Sequence, residues 1–190
     1  MSEELEVLKV VTQRLNKAGI SYIISGSIAA NYYTVPRMTR DIDIVIELKD
    51  ADINNFIGLF QKDFYTDKEM IKKEVLRKGI FNLIHNQYVV KIDFIVRRDL
   101  EFQKSAFFRR KKVLIEKTLM WFISAEDLIL AKLIWAKDSH SEMQLKDVRN
   151  LLITVKDLDT RYIEGWINKL SLGLIYEKAK NDRYKSRGNF

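Results

Sequence analysis

Asp41 and Asp43 stand two residues apart in Asp41-Ile-Asp-Ile-Val-Ile-Glu47, whose strict alternation predicts a β-strand. At that spacing both carboxylates leave the same face, while Ile42, Ile44 and Ile46 take the opposite, core-facing side. Two like charges held so close repel unless a cation sits between them. A pair of hard oxygen donors beside open space suits Mg²⁺, which keeps waters and binds substrate phosphates as well. Asp93, in Lys91-Ile-Asp-Phe-Ile-Val96, repeats the device on a second alternating run. With the two strands as neighbours, three carboxylates converge as a two-metal phosphoryl-transfer site requires.

An Asp-x-Asp pair alone is also what a solvent-facing strand carries, so its context decides. Gly26-Ser27 sits between a β-rich run, Ile20–Ser25, and a short helical stretch, 28–33, which ends near Pro36. Glycine there lets the backbone approach a phosphate, and the helix N-terminus with the Ser27 hydroxyl donates hydrogen bonds to it. Thirteen residues lie between Ser27 and Asp41. That coupling turns two weak signals into a specific one.

The elements around these residues follow from periodicity. Leu5, Leu8, Val11, Leu15 and Ala18 are spaced as one helical face over 3–18, with Gly19 as the stop. Asp50 is placed to cap a helix lined by Ile53, Phe56, Ile57 and Phe60. Ile80–Ile84 and Tyr88–Val96 read as a hairpin across His85-Asn86-Gln87. From Ser124 onward the pattern is nearly all helical. Ser124-Ala-Glu-Asp127 resembles a capping box and Ser141-Glu-Met-Gln144 matches one better. Leu145, Val148, Leu152 and Val155 form one apolar stripe, and Ile163, Trp166, Ile167 and Leu170 another. The division expected is an α/β core over 1–123 with a helical portion over 124–190 packed on it. Trp121, Trp135 and Trp166 are expected to fill the space between the two.

Composition narrows the chemistry. The chain has 190 residues, 47% apolar and 31% charged, which suits one domain with a full core, or a core and a small helical appendage. It has no cysteine, which excludes disulfides, thiolate zinc sites and thiol catalysis. Its histidines, His85 and His140, are too far apart in sequence to be a local metal pair. His85 reads as a hairpin-turn residue and His140 as a loop residue. No apolar run approaches the roughly 20 residues that span a bilayer, and the acidic N-terminus lacks a secretory core. A cytoplasmic protein without membrane contact is the expectation. The net charge is +7, of which residues 104–117 hold +5 and the last sixteen +3, leaving −1 elsewhere. Arg109, Arg110, Lys111 and Lys112, following Phe107 and Phe108, are suited to contact an anionic partner such as RNA beside the site. For the tail, solubility is the plainer reading.

The stretch Ser25–Val45 resembles the nucleotidyltransferase superfamily that includes DNA polymerase beta, whose signature is strand, Gly-Ser, short helix, then Asp-x-Asp on the next strand. Arg37, Thr39, Asp41 and Asp43 match the Arg-x-Thr-x-Asp-Ile-Asp segment of its bacterial and archaeal AbiE-type toxin branch. Glu126-Asp-Leu-Ile-Leu-Ala-Lys-Leu133 and Lys146-Asp147 are similar to that branch's C-terminal helices. The first turn has a single glycine where many relatives have two, and no arginine follows Lys146-Asp147 at the spacing the resemblance calls for.

The resemblance implies an α/β (α+β) fold, a mixed-sheet core flanked by helices. It implies an enzyme moving a nucleoside monophosphate from an NTP to RNA (tRNA included) or to a protein. A toxin with an antitoxin partner belongs to the same expectation. Asp41, Asp43 and Asp93 would carry Mg²⁺, and Asp93 would help to deprotonate the acceptor. Gly26 and Ser27 would hold the triphosphate. Lys132, in a helix apolar on almost every side, must snorkel or meet an anion; the resemblance makes it a triphosphate contact oriented by Asp147. The alternative is a non-catalytic nucleotide- or nucleic-acid-binding module on the same fold, though a polyanion binder gains nothing from three carboxylates. A sugar-nucleotide glycosyltransferase ranks last, because its nucleotide-binding region needs more chain before the Asp-x-Asp.

Overall fold

In the computed structural model, residues 2–39 and 41–181 are described. They divide into two compact units, residues 2–29 with 38–123, and residues 30–37 with 124–181. The basic residues Arg183, Lys185 and Arg187 of the tail lie outside the described residues.

The first unit is built on a seven-stranded mixed sheet. Its strands are β1 (Tyr22–Ile24), β2 (Asp41–Ile46), β3 (Phe64–Tyr65), β4 (Ile80–His85), β5 (Lys91–Val96), β6 (Lys111–Ile115) and β7 (Thr118–Phe122). They lie in the order β3-β4-β5-β2-β1-β7-β6. The pairs β2–β5 and β1–β7 are parallel and the others antiparallel. The hairpin expected over 80–96 is β4–β5, but its turn extends to Val89, a β-branched residue at φ +54°. His85 closes β4 and is buried, stacked on Tyr88 and edge-on to Phe64.

Period-two alternation decides which face is core. Ile42, Ile44 and Ile46 of β2, Ile92, Phe94 and Val96 of β5, and Phe81 and Leu83 of β4 are fully buried. Phe56 of α3 (Ile53–Phe60) packs edge-on to Phe81 and Phe94 on that face. Helix α1 (Glu3–Lys17) buries Val7, Leu8, Val11 and Leu15, starts at the Ser2 cap and stops at Gly19, φ +68°. Arg14 ties this helix down by a two-pronged salt bridge to Asp63, at 2.6 Å on each prong. The cap expected of Asp50 differs: Asp50–Asp52 form a 3₁₀ turn, and it is the Asp52 carboxylate that accepts from Lys49 N–H at 3.1 Å. Helix α4 (Lys68–Arg77) is capped by Asp67, whose carboxylate accepts from Met70 N–H at 3.0 Å.

The second unit contains α6 (Ala125–Ser139), α7 (Glu142–Thr154), α8 (Thr160–Lys169) and α9 (Gly173–Asn181); of the earlier helices, α5 (Glu101–Phe108) belongs to the first unit and α2 (Gly26–Tyr33) is divided. Helix α2 begins in the first unit, and its last turn belongs to the second. The two capping boxes rank the opposite way from expectation. Ser124 Oγ accepts from Asp127 N–H at 3.1 Å, whereas Ser141 makes no side-chain cap bond. Gln144 is instead drawn to Lys132, its Oε1 accepting from Nζ at 2.9 Å. The α7 stripe runs through Leu145, Val148 and Leu151, one residue off the expected Leu152. Trp166 is buried, whereas Trp135 is 55% exposed. No helix among the described residues is long and apolar enough to cross a membrane.

Candidate active site

The parallel pairing of β2 with β5 sets Asp43 directly opposite Asp93, and Asp41 opposite Lys91. Partners in register share a face, so all four side chains leave the sheet on the side away from the phenylalanine core. The expected adjacency of the two strands is thus present. Strand β1 then fixes the turn: Ser25 N–H donates to Asp43 C=O at 2.9 Å, one residue beyond the Ile24–Ile44 pair. The chain must leave β1 here beside the Asp43 side chain, and Gly26 allows it. Its φ is +60°, and a Cβ placed on it would stand 1.8 Å from Asp43 Oδ2. Gly26 therefore serves the carboxylate as well as the turn, closing the distance between the first α2 residues and the Asp-x-Asp strand.

The three carboxylates are not grouped tightly enough to hold one ion as they stand; among the described residues no three acidic or histidine side chains are. Lys91 stands among them. Its Nζ donates to Asp93 Oδ2 at 2.8 Å and lies 4.0 Å from Asp41 Oδ1. The Asp93 hydrogen bond raises the lysine above its ordinary pKa, against the desolvation that lowers it, and the Asp41 and Asp43 charges add to the rise. The ammonium acts as a stand-in cation, and the donors around it are all carboxylate oxygens, the set that a hard divalent ion takes. In donor chemistry the residues present fit such an ion. Lys91 was legible, because a residue two before Asp93 on a strand must share its face.

Lys132 and Asp147 lie in the second unit. Of the two outcomes open to a lysine on an apolar helix, Lys132 meets an anion: its Nζ donates to Asp147 Oδ2 at 2.8 Å, and both side chains are 4% exposed. Arg37 adds a second cation, its Nε and Nη2 donating to Asp147 at 3.2 and 3.0 Å. Burial pushes the Asp147 carboxyl up, but the Arg37 and Lys132 bonds outweigh it, and its pKa falls below the usual carboxylate value. Asn31 fixes the backbone of Arg37 from both sides, accepting from its N–H at 3.0 Å and donating to its C=O at 2.8 Å.

Chain order suggests that the basic segment lies beside the Asp93 strand, and the segment divides: Phe107, with Arg110 on its ring, meets Arg97 just past the end of β5, at 5.7 Å, whereas the two lysines that follow lie elsewhere. Lys111 and Lys112 are on β6, an edge strand separated from β5 by β7, β1 and β2. Four strand spacings are about 19 Å. Pairing registers put Lys112 on the carboxylate face and Lys111 on the other. Arg110 is sandwiched, its guanidinium 4.7 Å from the ring centres of both Phe107 and Trp121, while Nη1 donates to Phe107 C=O at 2.6 Å. Phe107 is buried, but Phe108 is 88% exposed and free to meet a partner.

The fold is that of the nucleotidyltransferases. A nucleotidyltransferase-like protein from Paracoccidioides brasiliensis superposes with a TM-score of 0.56 over 93% of both chains, at 17% identity. The antibiotic-resistance factor ANT(2'')-Ia gives a TM-score of 0.59 at 12% identity, over 90% of this chain and 94% of its own. The lincosamide antibiotic adenylyltransferase LnuA, solved with lincomycin bound, gives 0.55 at 14% identity, over 82% of this chain and 98% of its own. No family model and no curated protein sequence matches the chain. At these identities the likeness is one of fold.

Proposed function

We propose that the chain is a nucleotidyltransferase that moves a nucleoside monophosphate from an NTP to a hydroxyl acceptor. The observation that carries the reading is the Gly26–Asp43 contact beside the Asp43–Asp93 register, which joins a phosphate-type turn to paired carboxylates. In the reaction the acceptor oxygen bonds to the α-phosphorus, the bond from that phosphorus to the bridging oxygen breaks, and pyrophosphate leaves. Asp93 takes the acceptor proton. Gly26 and Ser27 hold the triphosphate through backbone and hydroxyl donors. Asp41 and Asp43, with Asp93, would hold Mg²⁺, which when bound neutralises charge on the transferring phosphoryl group. Lys132 and Asp147 have a supporting part, holding Arg37, which precedes Asp41 by four residues.

For the acceptor, RNA or protein is proposed, gripped by Arg109, Arg110, Lys111 and Lys112. A toxin activity restrained by an antitoxin protein remains part of this proposal through the AbiE-type motif. A second reading, a small hydroxylated acceptor, is favoured by the place of β6 at the far sheet edge. ANT(2'')-Ia, seen with adenylyl-2''-tobramycin, is a neighbour of that kind.

Incubating the protein with each labelled NTP and Mg²⁺, together with total RNA, total protein or a panel of small hydroxylated compounds, tests both parts. Label entering a macromolecule supports the first acceptor, and label entering no acceptor of any class overturns transfer itself. Replacing Lys111 and Lys112 with alanine then reports on RNA, because each lost phosphate contact flattens the salt dependence by about 0.7 to 0.9 in log–log slope. An unchanged slope removes RNA as the acceptor.

A further inference from the structure

Lys91 is part of the carboxylate face by construction. It leaves β5 on the same side as Asp93 and sits opposite Asp41 in register. Its Nζ reaches both carboxylates, at 2.8 Å to Asp93 Oδ2 and 4.0 Å to Asp41 Oδ1. The Asp93 side chain is 21% exposed and Lys91 40%, so the pair is partly withdrawn from water and its charges are only partly screened. Three carboxylates and one ammonium leave this face with two negative charges, which one divalent ion cancels.

We infer that Lys91 is a built-in cation standing between Asp41 and Asp93, so that the face takes one divalent ion, on the Asp41–Asp43 side, where a face without the lysine would take two. The inference rests on the nucleotidyltransferase reading for the use of the ion and departs from the two-metal expectation. A second ion bound by Asp41 and Asp93 would share its oxygen donors with an ammonium already in contact with one of them. Like charges at such a separation exclude each other. Arginine at this position would keep the charge, and methionine would keep the chain length without it.

Mn²⁺ titration of the metal-free full chain, read by the loss of free-ion EPR signal, tests this on the parent, Lys91→Met and Lys91→Arg. One Mn²⁺ per chain in the parent and in Lys91→Arg, against two in Lys91→Met, supports the inference. Equal stoichiometry in the parent and Lys91→Met overturns it. Lys91→Gln takes the place of Lys91→Met should the circular dichroism of that variant show it unfolded. Nucleotidyl transfer, assayed on the same preparations, separates the two readings. Equal metal counts with transfer retained overturn the role of Lys91 alone, whereas no Mn²⁺ bound by any variant overturns the carboxylate site beneath both.

Discussion

The Asp43 carboxylate fills the volume that a side chain on Gly26 would need, 1.8 Å from the position of its Cβ. Glycine is thus demanded twice at one position, by the neighbour and by a backbone φ of +60°.

Gly26→Ala is expected to lose about 1–2 kcal/mol from the left-handed backbone alone. It must also push the Asp43 carboxylate out of place, so transfer should disappear with it. Urea denaturation and the labelling assay measure the two effects. Ser27→Ala, with a normal midpoint and weakened NTP binding, is the companion that separates turn geometry from phosphate contact.

Asp41→Asn and Asp43→Asn should each reduce transfer on the order of a thousandfold or more, the equivalent of several kcal/mol of lost charge stabilisation. The fold should survive, and in metal-free buffer the melting temperature should hold or rise, since each change relieves repulsion on the strand. Asp93→Asn should lower turnover by about 10²–10⁴-fold, the span of a lost general base, with little change in NTP affinity. Turnover and NTP affinity measured side by side decide the assignment. Full activity in both Asp41→Asn and Asp43→Asn would sink the catalytic reading.

Asp147→Asn leaves Lys132 buried with Gln144 as its remaining partner among the bonds described. Orphaning a buried charge costs about 3–5 kcal/mol. Lys132→Met should cost much less, because Asp147 keeps Arg37 and the helix around position 132 is already apolar. The pH dependence has a definite sign. A carboxyl held below its ordinary value stabilises the fold fully above its unfolded pKa of about 4, and that contribution is lost as pH falls through the lower folded value. The stability gap between the parent and Asp147→Asn should therefore be widest near neutrality and shrink below pH of about 4. Denaturation midpoints across that range check it.

Val89 is 75% exposed and stands at φ +54° in the β4–β5 turn. A β-branched residue is poorly suited to that region. Val89→Gly should raise stability by about 1 kcal/mol, and Val89→Asn by somewhat less. Chemical denaturation reads this directly, and transfer should be unaffected.

What was legible followed from local period and what was hidden depended on pairing. Strand β2 announces itself because one face is wholly buried, so Ile42, Ile44 and Ile46 alternate with Asp41, Asp43 and Glu47, only Val45 departing from the pattern. The place of Lys111 and Lys112 was hidden because sequence adjacency to Asp93 says nothing of sheet order, and β6 joins by pairing with β7 at the far edge. Strand β3, two residues long, carries no periodicity to detect. Ser141 has the better cap motif and goes unused, since Gln144 has a buried lysine to satisfy.

The bond between Arg37 and Asp147 spans 110 positions of the chain. Residues 30–37 are synthesised early and count with a unit whose other members are synthesised last. On a ribosome that segment waits without its carboxylate until α7 has left the exit tunnel, so the two units cannot mature one after the other as separate beads. Shortening the chain at residue 123 would not release the first unit by itself; residues 30–37 would stay in its sequence without the partners they have in the second.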